Sequence, residues 1–271
     1  MSGGEDATVR LWDLNAGRST RAILLPAGRS SKDAAVNCVC YGREATAHCV
    51  YAAAGREIFC YDTRAPGVLL RHPILHVGSS SDEIGAIALH RTGCQLAAAN
   101  DEGEVLLIDV DPRGTSEERV ATLSGGHTGP CGCVAYGPPG AHGPASATVE
   151  TSVETVISGG MDARLVHWHV PKQTVKEVWD LKPPSDAAST QLLNPRHVHS
   201  LSLAPHGDQA ERKAGALALA LGDGTVELRS VSGEQIASVE AHRAAASQVV
   251  FLPPTLGGAL THNERVRGER G

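Results

Sequence analysis

Short apolar runs rich in β-branched residues recur along this chain, each opened by a tight turn and closed by a small polar break. The N-terminal example is Ser2-Gly3-Gly4-Glu5-Asp6, then Ala7-Thr8-Val9-Arg10-Leu11-Trp12-Asp13-Leu14, then a break at Asn15-Ala16-Gly17. Turn-plus-strand text of the same kind returns at 54–62, 101–109, 161–169 and 222–229. Upstream of these lie further β-like runs at 35–41, 84–89, 133–136, 199–203 and 248–251, so each unit holds several strands. No segment sustains the 3.6-residue period of an amphipathic helix. The pattern therefore predicts an all-β chain in which multi-stranded units repeat radially, each sheet burying both faces against its neighbours: a β-propeller.

Aligning Trp12, Tyr61, Ile108, Trp168 and Arg229 gives steps of roughly 47 to 61 residues, longer than the roughly 40–45 of compact four-stranded repeats. Insertions at 137–154, 183–196 and 207–215, rich in Gly, Pro and small residues, account for the excess as surface loops on a constant core. Residues 182–190 would display the Gln191-Leu192-Leu193-Asn194-Pro195 segment to a partner.

Composition narrows the class. A chain of 271 residues with 41% hydrophobic but only 3% aromatic positions can bury a large core, packed mainly from Ala, Val and Leu. A net charge of −6 with scattered Lys and Arg leaves no basic stripe for a phosphate backbone, so nucleic acid is not expected as a partner. The seven cysteines include no CxxC pair, which fits reduced thiols in the cytoplasm or nucleus. No signal-peptide pattern follows Met1 and no apolar stretch approaches the roughly 18 residues of a membrane helix, so no membrane association is expected.

The spacing Asp6, Trp12-Asp13 resembles the signature of the WD-repeat family. The fourth unit carries its fullest form, with Gly126-His127 followed by Ser158, Asp162 and Trp168. The resemblance implies a hydrogen-bonded tetrad of His127, Ser158, Asp162 and Trp168, echoed by Ser2, Asp6, Trp12 and Asp13 in the first unit. Elsewhere the signature is degenerate, with Glu102 and Asp223 at the turn position and Gly55 in the second unit. At finer grain Ser81-Asp82-Glu83-Ile84, the 191–195 segment with His199-Ser200, and Ser247-Gln248-Val249-Val250-Phe251-Leu252-Pro253 resemble one seven-bladed branch of that family. The resemblance implies a propeller over 1–262 with about five to six blades represented. The first would begin at its second or third strand and the last would stop soon after Leu260-Thr261, leaving 263–271 as a tail or an aberrant end of a truncated chain. Such an open propeller exposes sheet faces and strand edges, so this chain is expected to be poorly soluble or to self-associate. No homo-oligomer is expected of a complete protein.

For function, Tyr61-Asp62-Thr63-Arg64 is similar to the WDxR box of substrate receptors in cullin-RING ubiquitin ligases, with Tyr for Trp. The resemblance implies that Tyr61, Asp62 and Arg64 form a protein-binding site for a ubiquitin-ligase adaptor, Arg64 being the anchor through charge-assisted bonds. The alternative is that Asp62 caps a strand and Arg64 is a solvated turn residue. Trp179-Asp180-Leu181-Lys182 matches the box more loosely, in an expected outer strand. His167 and His169 flank Trp168 on one strand, and Cys38-x-Cys40 and Cys131-x-Cys133 put paired thiols on one side of theirs, but no third-ligand spacing supports a metal, and core packing is expected. No GxSxG elbow, phosphate loop or HExxH helix is present, so neither catalysis nor a cofactor is expected. The expected function is a protein–protein interaction scaffold, as a ligase substrate receptor or as a ligase-independent assembly or signalling platform. An enzyme working in a propeller channel is a third, weaker class.

Overall fold

A computed structural model describes residues 1–26, 35–110, 120–137, 154–182, 195–204 and 215–252. These form five four-stranded sheets, with a single 3-10 turn at Glu44–Thr46 and no α-helix among the described residues. No helix there is long and apolar enough to cross a membrane. Sheet 1 contains β1 (Ser2–Gly3), β2 (Thr8–Asp13) and β3 (Arg18–Leu24); sheet 2 contains β4 (Val36–Tyr41), β5 (Cys49–Ala54) and β6 (Glu57–Asp62). The chain then crosses back, and β7 (Leu69–Leu70) pairs in parallel with β3 before β8 (Leu75–Ser79) completes sheet 2. Sheet 3 is β9 (Ile84–Leu89), β10 (Gln95–Asn100), β11 (Val105–Asp109) and β12 (Val120–Leu123). Sheet 4 is β13 (Cys131–Tyr136), β14 (Thr155–Gly160), β15 (Arg164–His169) and β16 (Thr174–Asp180). Sheet 5 is β17 (Val198–Leu203), β18 (Ala216–Leu221), β19 (Thr225–Ser230) and β20 (Gln235–Glu240). Every pairing except β3 with β7 is antiparallel.

Low aromatic content and radial stacking have one cause. The second strands, such as Cys-Val-Tyr-Ala-Ala-Ala in β5, are buried along their whole length because a sheet lies against each face. Alternate residues serve opposite neighbours: Cys49, Tyr51 and Ala53 pack toward sheet 3, whereas Val50, Ala52 and Ala54 pack toward sheet 1. Small side chains let sheets approach, so the interior is a series of four inter-sheet cores. The first strands β4, β9, β13 and β17 stand side by side around a 790 Å³ cavity, while β20 at the rim is exposed throughout.

Two irregularities repeat with the sheets. Near the start of each first strand the register skips one residue, at Asn37, Gly85, Gly132 and His199, a bulge that sharpens the twist where strands converge. The bulge at Gly132 corrects the expectation for Cys131 and Cys133. They do not share a side: Cys131 packs between sheets 3 and 4, and Cys133 between sheets 4 and 5. The hairpin turns between second and third strands also share a left-handed residue, filled by Gly103 and Gly224 but also by Ala7 and Ala163. The expected insertions at 137–154, 183–196 and 207–215, the 191–194 part of the display segment, and the 263–271 tail fall largely or wholly outside the described residues.

Candidate functional site

The hairpin turns carry the polar groups that fasten the sheets. In sheet 4 the Trp168 indole N–H donates to Ser158 Oγ at 2.7 Å, and Ser158 lies 2.8 Å from His127 Nε2. His127 Nδ1 lies 3.1 Å from Asp162. An ionised carboxylate only accepts, so Nδ1 carries the proton and Nε2 accepts from the serine hydroxyl, giving an unbroken chain of donors. Trp168 and Ser158 are fully buried. Burial alone pushes the Asp162 carboxyl up, but bonds from His127 and the Thr128 amide outweigh it, leaving Asp162 below the ordinary carboxylate range. Sheet 1 holds the exposed version: Trp12 donates to Ser2 Oγ at 2.9 Å while 45% exposed, and Asp6 accepts from Thr8. Asp13, closing β2, accepts from the Asn15 and Ala16 amides.

The degenerate units solve the same problem with other chemistry. In sheet 5, Asp223 caps the Thr225 amide and pairs with Arg196 Nε at 2.7 Å. Arg196 also reaches Glu227 at 2.6 Å, and Glu227 in turn holds Arg229 at 2.9 Å. Arg229 stands at the Trp168 position six residues past the turn acid, so a four-member ion cluster replaces the hydrogen-bonded tetrad. Arg196 further donates to Leu181 O, tying sheet 5 to sheet 4. Sequence reasoning missed Arg196 and Glu227; the unbroken alternation of Thr225-Val226-Glu227-Leu228-Arg229, which drives a carboxylate into the sheet beside an arginine, was the available signal. In sheet 3 it is Asn100 that caps the turn through the Glu104 amide at 2.8 Å, and Glu102 instead accepts from Ser81.

At the opposite end of sheet 2 lies the Tyr61–Arg64 segment. Asp62 ends β6; its Oδ1 accepts from the Arg64 amide at 2.8 Å, and its two oxygens take a fork from Arg64 Nε at 3.0 Å and Nη2 at 2.7 Å. Arg64 beside it holds the Asp62 carboxyl down at about 2. The Arg64 side chain is 66% exposed, whereas Tyr61 is fully buried with its hydroxyl donating to Leu24 O at 3.4 Å. Of the three residues expected to bind a partner, Asp62 and Arg64 therefore reach the surface and Tyr61 does not. Thr63 is fixed from within sheet 2, its amide and hydroxyl both donating to His48 O. From sheet 1, Arg21 Nη1 donates to Thr63 O and, at 2.9 Å, to Ala65 O.

Of the remaining candidates, Trp179 and His167 resolve into packing, while His169 accepts from the Lys172 amide and Asp180 and Lys182 are exposed. Trp179 lies in β16, buried between sheets 4 and 5 beside Gly233, where an added Cβ would come within 2.4 Å of the indole. The His167 ring packs tilted against Trp179, 5.6 Å between ring centres. No group of three His, Cys, Asp or Glu side chains is placed to hold a metal among the described residues.

Stacked four-stranded sheets built from hairpins, one of them fastened by a His–Ser–Asp–Trp network, give this chain a β-propeller fold of the WD-repeat kind. No family model matches the chain. It is similar to the WD repeat-containing protein 53 homolog of Dictyostelium discoideum, with 26% identity over 94% of this chain and 65% of that protein, in keeping with the branch of WD-repeat proteins that the sequence resembles. Among solved structures it superposes on a chain of the crystal structure of a mitotic checkpoint complex with a TM-score of 0.64 and 18% identity, covering 92% of this chain and 63% of that one. The chain thus spans a little under two thirds of the length of each.

Proposed function

We propose that the chain is a protein-interaction scaffold that acts as a substrate receptor of a cullin-RING ubiquitin ligase, docking the adaptor through Asp62 and Arg64. The observation that carries this reading is the exposed guanidinium of Arg64, held fork to fork by Asp62 at the end of β6. A planar guanidinium has five N–H donors, and the fork uses only part of them. The rest are available to a partner's carbonyls or carboxylates without first freezing a loose side chain, which lowers the entropic cost of docking. The turn is tied by hydrogen bonds on both sides, to His48 and to Arg21, so the arginine is presented from a fastened turn at the end of a sheet. To test this, the full-length gene product is co-purified with the propeller-built ligase adaptor, then again as Arg64→Ala and as Asp62→Ala. Recovery should fall sharply in both, and unchanged recovery in both sinks the reading.

A ligase-independent scaffold is the second reading. It is favoured by the self-sufficiency of the pair, since Asp62 already caps the Arg64 amide and neutralises its charge. Proximity labelling that returns assembly partners but no ligase subunits supports it.

A further inference from the structure

The contacts of Arg21 suggest that the adaptor site is not a property of sheet 2 alone. Arg21 lies in β3 of sheet 1, opposite Leu11, and is half-buried. Its guanidinium crosses the junction and donates to two carbonyls, Thr63 O and Ala65 O, which bracket Arg64 in sequence. The adjoining residue Ala22 donates its amide to Val68 O at 2.8 Å, and β7 continues along β3 with Ala22 opposite Leu69 and Ile23 opposite Leu70. Eight consecutive residues after Asp62, from Thr63 to Leu70 with Arg64 among them, thereby run from one sheet to the outer edge of the other. The turn has its own internal bond, Ala65 N to Asp62 O at 3.2 Å, but that bond fixes only its width. Its direction is fixed by Arg21 on one side and by His48 on the other.

We propose that Arg21 is a positioning residue for the Asp62–Arg64 site: it aims the arginine fork by clamping the two carbonyls on either side of it, so the docking surface belongs to the junction of sheets 1 and 2. This rests on the adaptor reading above. Arg21 does not touch the partner. It acts through the backbone of Thr63 and Ala65, and a side chain that orients a contact group by hydrogen bonds commonly matters as much as the contact itself. Arginine is suited to the task because its planar fork spans two acceptors, whereas lysine offers a compact point charge.

The experiment uses full-length protein and purified adaptor, measuring affinity, dissociation rate and hydrogen exchange for Arg21→Ala, Arg21→Lys, Arg64→Ala and the Arg21→Ala/Arg64→Ala pair. Arg21→Ala should weaken adaptor binding about ten-fold, chiefly by faster dissociation, because the fork must be re-ordered on docking. It should also speed exchange in the peptide covering 63–70 while that of β14 and β15 is unchanged. Arg21→Lys should lose less, and the double variant should bind no worse than Arg64→Ala alone, since both act through one group. If Arg64→Ala keeps full affinity, the adaptor reading falls and this inference with it. If Arg64→Ala loses binding but Arg21→Ala does not, the reading stands and the positioning role is overturned. Unchanged exchange at 63–70 in Arg21→Ala overturns it as well, and so does an additive loss in the double variant.

Discussion

Replacing Ser158 by Ala should destabilise the protein far more than replacing Ser2, although both serines accept the same bond from a tryptophan. In sheet 4, Ser158 accepts from a Trp168 indole that is fully buried and lies against His127 Nε2, itself in a buried ring. Alanine strands both groups away from water, and an unpaired buried polar group costs about 1–3 kcal/mol, so the loss should be about 2–5 kcal/mol. In sheet 1 the Trp12 indole is 45% exposed. Once Ser2 is gone water can take its N–H, and the loss should stay below about 1 kcal/mol. Urea unfolding followed by tryptophan fluorescence and by circular dichroism measures both, with hydrogen exchange of β14 and β15 locating the damage. Because a repeat array can unfold in stages, the two probes must give coincident transitions before midpoints are compared. Equal losses for the two variants, within about 0.5 kcal/mol, would refute the claim that burial sets the worth of the tetrad.

Three further outcomes follow from the same geometry. Glu227→Gln should cost about 1.5–3 kcal/mol, since it removes the carboxylate that Arg229 pairs with while Arg196 keeps Asp223, and a thermal melt that barely moves would argue that the cluster is solvated. Ala163→Gly should raise stability by up to about 1 kcal/mol, because Ala163 sits at φ +59 in a region glycine enters freely; a lower melting midpoint would contradict this. Asp162 is held below its ordinary value, so its contribution is fully present above about pH 4 and is lost as pH falls through its folded value. Acid unfolding of Asp162→Asn should accordingly show less loss between pH 4 and 2 than the parent, as measured by urea midpoints across that range.

Much of the fold was legible because propeller sheets are local. Each hairpin joins strands adjacent in sequence, so turn residues and period-two patterning announce them, as at Asp6 to Asp13 and Asp162 to His169. The tetrad of sheet 4 was expected from the resemblance of Gly126-His127, Ser158, Asp162 and Trp168 to the WD-repeat signature, and the structure joins the four side chains. Less legible was anything that depended on a neighbouring sheet. Cys131 and Cys133 appear paired in sequence, yet one skipped residue turns them to different cores. Tyr61 stands beside Asp62 in what the sequence presents as a surface box, yet its ring fills the core between sheets 1 and 2 and its hydroxyl reaches Leu24.

The sequence by itself determined the strand periodicity, the hairpin turns and the repeat, because these are fixed by contacts within a few tens of residues. Tertiary structure alone decided which groups meet across sheets: Arg196 with Asp223 and Glu227, Arg21 with the backbone around Arg64, and β7 with β3. The physical reason is that a strand offers two faces and a sheet two neighbours, and bulges and crossovers choose between them. A linear pattern records alternation but not which neighbour each face will meet.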